Sequence, residues 1–124
     1  MKKTWMIAAT TAFISMGFTA TEAVASPEGK CKACHNFTMK DKVGPHLKGV
    51  VGREAGKSGF KKHSKALKNA NWIWDEEHLL KWVCNSKDAI KEFTGDPHAK
   101  TKMPPQKMCG EKGKKVVAFL KSIS

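Results

Sequence analysis

The chain has 124 residues, of which 23 are Lys or Arg and 11 are Asp or Glu, and its formal net charge at pH 7 is +12. This length suffices for one small domain whose hydrophobic core is marginal by itself. Beyond residue 25, no apolar run is long enough to cross a membrane, and the sequence shows no internal repeat or domain linker.

Residues 1–25 have the three parts of an export signal. Lys2 and Lys3 form a positive n-region, Trp5 to Phe18 an apolar and small-residue stretch, and Ala23-Val24-Ala25 a small-x-small cleavage site. The apolar stretch is too short for a stable membrane span. We therefore expect cleavage after Ala25 and release of residues 26–124 into the periplasm, the alternative being an uncleaved anchor.

The predicted mature domain is strongly basic. Without the leader, 21 basic and 10 acidic residues remain, which is a formal charge of +11. In an exported protein this excess argues less for nucleic acid than for docking on acidic protein surfaces or on an anionic membrane. Because the lysines are scattered rather than in blocks, a basic face that serves only solubility is the alternative.

The mature domain is predicted to be all-α, with helices separated by long loops and no strand pattern. Ser26 as cap and Pro27 in the first turn predict a short first helix, and Asp75 predicts the cap of a later, amphipathic one. In chain order we expect that first helix, an irregular loop over His35–Gly59, one or two turns over Ser64–Lys68, a helix from Asp75 to about Ser86, a shorter helix over Lys87–Phe93, a loop over Thr94–Met108 and a helix over Glu111–Ser122.

The first helix leads into Cys31-Lys32-Ala33-Cys34-His35, which reads C-x-x-C-H. This spacing is that of covalent haem attachment, in which two thiols bond to the haem vinyl groups and the next histidine ligates the iron. One helical turn sets both sulfurs along one porphyrin edge. We predict that Cys31 and Cys34 bind one haem c and that His35 is an axial ligand.

Two other interpretations of this motif find less support. A thioredoxin-like dithiol requires a βαβ context, which the chain lacks. Half of a zinc site requires a second Cys/His pair, and Cys84 and Cys109 lie far apart without ligand spacing.

The second axial position has several candidates. Met103 lies in a Pro-stiffened loop that can cross the ring, whereas Met39 is too near His35 in sequence to reach the other face. Met108 adjoins the last helix and is expected to be a packing residue of the core rather than an iron ligand. A second histidine or an open position are the remaining alternatives, and Met103 is favoured.

Several segments together resemble the class I cytochromes c, in particular the mitochondrial-type and bacterial c2-like members. The resemblance covers most of residues 30–122. The matching segments are, in chain order, Cys31–His35, Val43–Arg53, Gly59–Phe60, Ser64–Asn69, Trp74–Glu77, Thr101–Met103 and Val117–Lys121.

The resemblance implies roles for individual residues. The Pro45 carbonyl would accept from the ring N–H of His35, Arg53 and Trp74 would anchor a haem propionate, and Met103 would be the sixth ligand. Without the resemblance, Pro45 would be interpreted as a turn former, Arg53 as a surface charge and Trp74 as a core side chain. Phe119 would pack the last helix on the first.

The histidines other than His35 have plainer expectations. His63 falls where such proteins often carry a tyrosine near the propionates, so it is either a propionate contact or, as we favour, an exposed side chain. His46, His78 and His98 are expected to be solvated.

The chain departs from the family pattern at three places. The positions of the usual glycine and aromatic of the first helix hold Ala23 and Pro27, so either this helix is truncated or cleavage differs. Pro104-Pro105-Gln106 follows Met103 in place of an apolar–aromatic pair. Cys84 and Cys109 are additional, and in an oxidising compartment we expect them to form a disulfide that clamps the Met103 loop, free or intermolecular thiols being the alternatives.

These observations together predict a monomeric periplasmic cytochrome c that passes single electrons at its haem edge. The family resemblance implies partners with acidic docking surfaces, such as a cytochrome bc1 complex, a terminal oxidase or soluble dehydrogenases. Two alternatives are a haem enzyme or gas sensor with an open or labile sixth position, and a haem subunit of a larger oxidoreductase.

Overall fold

A computed structural model describes residues 26–124, and the predicted leader lies outside the described residues. This part contains a 3-10 helix, Pro27–Ala33, and four α-helices: α1, Lys65–Lys68; α2, Glu76–Cys84; α3, Ser86–Thr94; and α4, Glu111–Ser122. No strand occurs in residues 26–124, and no helix there has the length and apolar character needed to cross a membrane. The predicted all-α class is confirmed.

Capping explains where α2 begins and where α3 begins and ends. The Asp75 carboxylate accepts from the His78 N–H at 2.8 Å, as expected for the cap of α2. Asn85 caps α3 through the Asp88 N–H at 3.1 Å, and Gly95 ends it in the left-handed conformation. Helix α3 is longer than the predicted Lys87–Phe93 by one residue at each end, because the Asn85 cap lets it begin at Ser86 and Gly95 lets it continue to Thr94.

The hydrophobic core joins α2, α3 and α4 to the loops around them. Helix α2 packs against α3 and α4, and α4 also packs against the 3-10 helix. The most deeply buried core side chains are Val50, Ala55, Leu79, Ala89, Ile90, Val116, Val117 and Leu120. The Phe119 ring meets the Phe37 ring edge-on, with the ring centroids 4.8 Å apart. The aromatic residue that packs against Phe119 therefore lies after the attachment motif rather than in the first helix.

A pair of extended segments brings distant parts of the loops together. The Ala55 N–H donates to the Trp72 carbonyl and the Trp74 N–H donates to the Arg53 carbonyl, each at 2.9 Å, around an isolated antiparallel bridge between Glu54 and Ile73. This pairing places Arg53 and Trp74 side by side.

The loop after the attachment motif folds back tightly on His35. The Gly44 N–H donates to the Cys34 carbonyl at 2.7 Å. A Cβ atom on Gly44 would lie 2.5 Å from His35 Cε1 and 2.8 Å from its Nδ1. Residue 44 therefore has to be glycine for the loop to pass this close to the imidazole.

Replacing Gly44 by Ala should disturb the His35 ring or displace the loop. We expect the variant to lower the free energy of unfolding of the purified protein by about 1–3 kcal/mol, the range for overpacking. Thermal unfolding measures this change. Gly29→Ala is the matched control, because a Cβ there meets nothing within 4 Å and neither glycine is left-handed. Equal stability of the two variants would contradict the packing argument.

Candidate functional site

The predicted site residues line one cavity of about 450 Å³. This volume lies within the range of about 300–1,000 Å³ typical of small-molecule and cofactor sites. Cys31, Cys34, His35 and Met103 all border it, although Cys31 lies in the 3-10 helix, Cys34 and His35 directly follow that helix, and Met103 lies in the loop between α3 and α4. Much of its wall is apolar, formed by Val50, Leu67, Leu79, Val83, Val116 and Leu120.

His35 is prepared to bind a metal through Nε2. Its Nδ1 is 2.6 Å from the Pro45 carbonyl oxygen. Because a carbonyl only accepts, Nδ1 carries the proton and Nε2 keeps its lone pair. Burial lowers the pKa of His35, which further favours the neutral, metal-binding form.

The two thiols of the motif border the cavity as free cysteines. Burial, helped by the negative charge of Glu28, raises the pKa of Cys31, so its thiol form is favoured. Residues 26–124 contain no cluster of three or more His, Cys, Asp or Glu side chains that could hold a metal ion. The second ligand pair of a zinc site is thus missing from the described part of the chain.

Met103 is the cavity methionine among the candidates. Its Sδ accepts from the Trp82 indole N–H at 3.1 Å, and its carbonyl accepts from the Ser86 hydroxyl at 2.8 Å. Met108 does not line the cavity; its N–H donates to the Val83 carbonyl at 3.0 Å and it packs against the core. Met39 is largely exposed.

One end of the cavity is polar. Both terminal nitrogens of Arg53 donate to the His46 carbonyl at 3.1 Å, Trp74 is paired with Arg53 through its backbone, and Ser58 and His63 also line the cavity. Burial is the main cause that lowers the pKa of both Arg53 and His63; the Asp41 carboxylate partly opposes it at Arg53, and the Arg53 charge adds to it at His63. A polar end in an otherwise apolar cavity fits a flat apolar cofactor with acidic substituents.

Two expectations for histidines are wrong. His63 is only 8% exposed, with its Nε2 3.3 Å from the Ser58 hydroxyl. His46 is also 8% exposed, because Asp41 accepts from its backbone N–H and lies 2.8 Å from its Nδ1. These two hydrogen bonds are the main cause that lowers the pKa of Asp41. His98 is exposed as expected, whereas His78 is half-buried against the Phe93 ring.

Sequence reasoning missed Trp82, Ser86 and Ser58. Trp82 lies three residues after Leu79, on the buried face of α2, and this spacing was the available signal. No local pattern identifies Ser86 or Ser58.

The two remaining cysteines are joined. The structure has a disulfide between Cys84, at the end of α2, and Cys109, just before α4. The segment between them contains α3 and Met103. The Lys107 N–H donates to the Cys84 carbonyl at 3.1 Å, so the end of the Met103 loop is also tied to α2 by its backbone.

Known proteins similar to this chain were found by sequence and by structure. Cytochrome c-550 of Paracoccus pantotrophus is 41% identical over an alignment of 104 positions, which covers 73% of this chain and 76% of the relative. A cytochrome c2 of Rhodospirillum rubrum is 33% identical over an alignment of 136 positions, which covers 99% of each chain. No protein-family model matches the chain.

The fold agrees with these sequence relatives. The crystal structure of cytochrome c2 from Paracoccus denitrificans matches with a TM-score of 0.68 at 34% identity, covering 78% of this chain and 89% of that one. The structure of cytochrome c2 from Rhodospirillum centenum matches with a TM-score of 0.71 at 28% identity, covering 79% and 92%. The chain therefore belongs to the class I cytochromes c, electron carriers rather than enzymes, which hold one covalent haem c.

Proposed function

We propose that this cytochrome carries single electrons in the periplasm, with its haem bonded to Cys31 and Cys34 and its iron ligated by His35 and Met103. The observation that carries the proposal is the shared cavity, which brings the two thiols, the imidazole and the thioether together from separate elements. The sequence of residues 1–25 supports the location, because it has all parts of a secretory signal.

The chain's own residues set the chemistry of this site. The bound haem supplies the one-electron couple of its iron. His35 offers Nε2 because Pro45 holds Nδ1, and Met103 offers a soft thioether that favours Fe(II) over Fe(III) and so raises the potential. An iron bound by both His35 and Met103 would have no position left for a substrate. Arg53, Trp74 and His63 would hold the propionates at the polar end.

The edge of the cavity is the proposed docking surface. Three exposed lysines, Lys30, Lys62 and Lys102, line it, and no Asp or Glu does. Six of the ten acidic residues lie instead between residues 75 and 96, mainly on α2 and α3. A positive edge favours acidic surfaces on redox partners. We propose a cytochrome bc1 complex, a terminal oxidase or soluble dehydrogenases as such partners.

Covalent attachment is tested by the mass of the exported protein. We expect the mass of residues 26–124 plus one haem, retained after denaturation, because thioether bonds do not depend on the fold. The Cys31→Ala, Cys34→Ala double variant should lose covalent haem, whereas the Cys84→Ala, Cys109→Ala pair should keep it. Haem extracted from the unaltered protein by acidified organic solvent would contradict the proposal.

The choice of Met103 as ligand is tested by visible spectroscopy of the oxidised protein. Met103→Ala should abolish the weak Fe(III)–thioether band at the red end of the visible range and lower the reduction potential, because the soft ligand is lost. Met108→Ala is the control and should keep the band. If the Met108 variant loses the band and the Met103 variant keeps it, the ligand assignment is wrong.

The docking surface is tested with small redox reagents of opposite charge. Oxidation by ferricyanide should slow as ionic strength rises from about 0.01 to 0.15 M, because the Debye length falls from about 30 to 8 Å. Oxidation by a cationic cobalt tris-phenanthroline complex should accelerate. Lys102→Gln should weaken both dependences more than Lys115→Gln, an exposed lysine on α4 away from the cavity. Rates indifferent to salt would show that the lysines serve solubility alone.

A further inference from the structure

The disulfide between Cys84 and Cys109 lies at the protein surface. Cys109 is exposed and Cys84 is half-buried. An open groove of about 350 Å³ runs between α2 and α3 and reaches the bond, with Cys84 and Gly110 in its wall. Exposed disulfides are the ones that exchange with thiols, whereas buried ones resist reduction. A thiol can therefore reach this bond without unfolding the chain.

The disulfide belongs to the anchor of the loop that carries Met103. This loop joins α3 to α4 and returns to the last residues of α2. Beside the disulfide, the Lys107 N–H donates to the Cys84 carbonyl at 3.1 Å, and the Met108 N–H donates to the Val83 carbonyl at 3.0 Å. One covalent bond and two backbone hydrogen bonds thus fasten the end of the loop to α2.

Lys107 has an unfavourable backbone conformation within this anchor. Its φ is 57°, and no other residue except glycine has a positive φ within residues 26–124. The left-handed region is costly for a residue with a side chain, and it persists only where the surrounding structure imposes it. Without the covalent bond, two hydrogen bonds remain to hold the backbone at Lys107 in this conformation.

We propose that the Cys84–Cys109 bond is an exchange site for a dithiol and that its reduction lets Met103 leave the iron. The second part rests on the proposed function, because it takes Met103 as the axial ligand. A thiolate of the dithiol attacks the exposed Cys109 sulfur, and Cys84 leaves as a thiolate that takes a proton from water. The second thiol then attacks the dithiol's own sulfur in the mixed disulfide and releases Cys109. The dithiol loses two electrons, and the cysteine pair gains them.

The exchange is tested by counting thiols in the folded haem protein. Incubation with dithiothreitol, followed by alkylation and mass measurement, should add two alkyl groups while the far-ultraviolet circular dichroism stays unchanged. Single variants locate the attack. The free Cys109 of Cys84→Ala should react with dithionitrobenzoate about tenfold faster than the free Cys84 of Cys109→Ala, because thiol reactivity follows exposure.

The release of Met103 is tested by the Kd for imidazole, which displaces a thioether from oxidised haem iron and removes its band. The dithiol-reduced protein is alkylated, freed of reagent and reoxidised with ferricyanide before the titration. Its Kd should be about 10- to 100-fold lower than that of the disulfide-bonded protein, because the loop opens more readily once the chain is no longer closed across a separation of 25 residues. The Cys84→Ala, Cys109→Ala pair should show the same low Kd and no response to dithiothreitol.

Two controls separate release of the loop from a general loss of stability. Asp75→Ala removes the cap at the other end of α2, so it should lower thermal stability and leave the imidazole Kd unchanged. Lys107→Gly relieves the left-handed conformation, so it should raise the Kd of the reduced protein more than that of the disulfide-bonded protein.

The outcomes distinguish this inference from the proposed function. If the unaltered protein has no thioether band, the assignment of Met103 as ligand fails and its release fails with it, while the thiol count still decides whether the bond is an exchange site. If the band is present and reduction leaves the imidazole Kd unchanged, the release is overturned and the ligand assignment stands. A bond that dithiothreitol opens only in denaturant, or a Cys84 thiol that reacts faster than Cys109, overturns the exchange site.

Discussion

The fold of residues 26–124 is organised by one constraint, that its elements share the walls of a single cavity. The 3-10 helix, the loops on both sides of α1, helices α2 and α4, and the loop after α3 all contribute side chains to it. Regular structure is short, and much of the backbone runs as loops anchored by single hydrogen bonds. A cofactor that fills the cavity therefore joins segments that have few other reasons to stay together, which is how so small a chain reaches a stable core.

The same arrangement explains which parts of the fold the sequence reveals. Helix α4 has the predicted bounds, Glu111–Ser122, because an amphipathic helix that packs on its neighbours leaves a periodic pattern. The loop around His46 leaves none. Its burial depends on Asp41 and on Arg53, and such contacts follow from the path of the loop rather than from any repeat. The loop could be predicted as irregular, but not which of its side chains would be buried.

The site divides along the same line. Cys31, Cys34 and His35 could be proposed as haem-binding residues from the sequence because covalent attachment requires two cysteines and a histidine at fixed spacing within one turn, and the structure places all three at the cavity. Met103 could be proposed as the second iron ligand because its loop is stiffened by prolines and because the family resemblance implies the same residue. The bonds from Trp82 and Ser86 to Met103 span 21 and 17 residues. They exist only because α2 and α3 pack together, so they required the three-dimensional structure.

The disulfide between Cys84 and Cys109 has a consequence for maturation. Four cysteines allow three pairings, and two of them would join a thiol of the attachment motif to a partner elsewhere in the chain. If the proposed assignment and export hold, haem attachment needs both Cys31 and Cys34 reduced, whereas the loop clamp needs Cys84 and Cys109 oxidised, in the same compartment. Once the first pair is bonded to haem, a single intramolecular pairing remains for the second. Attachment before oxidation thus makes the correct disulfide the sole one available, and oxidation before attachment exposes the chain to scrambled products.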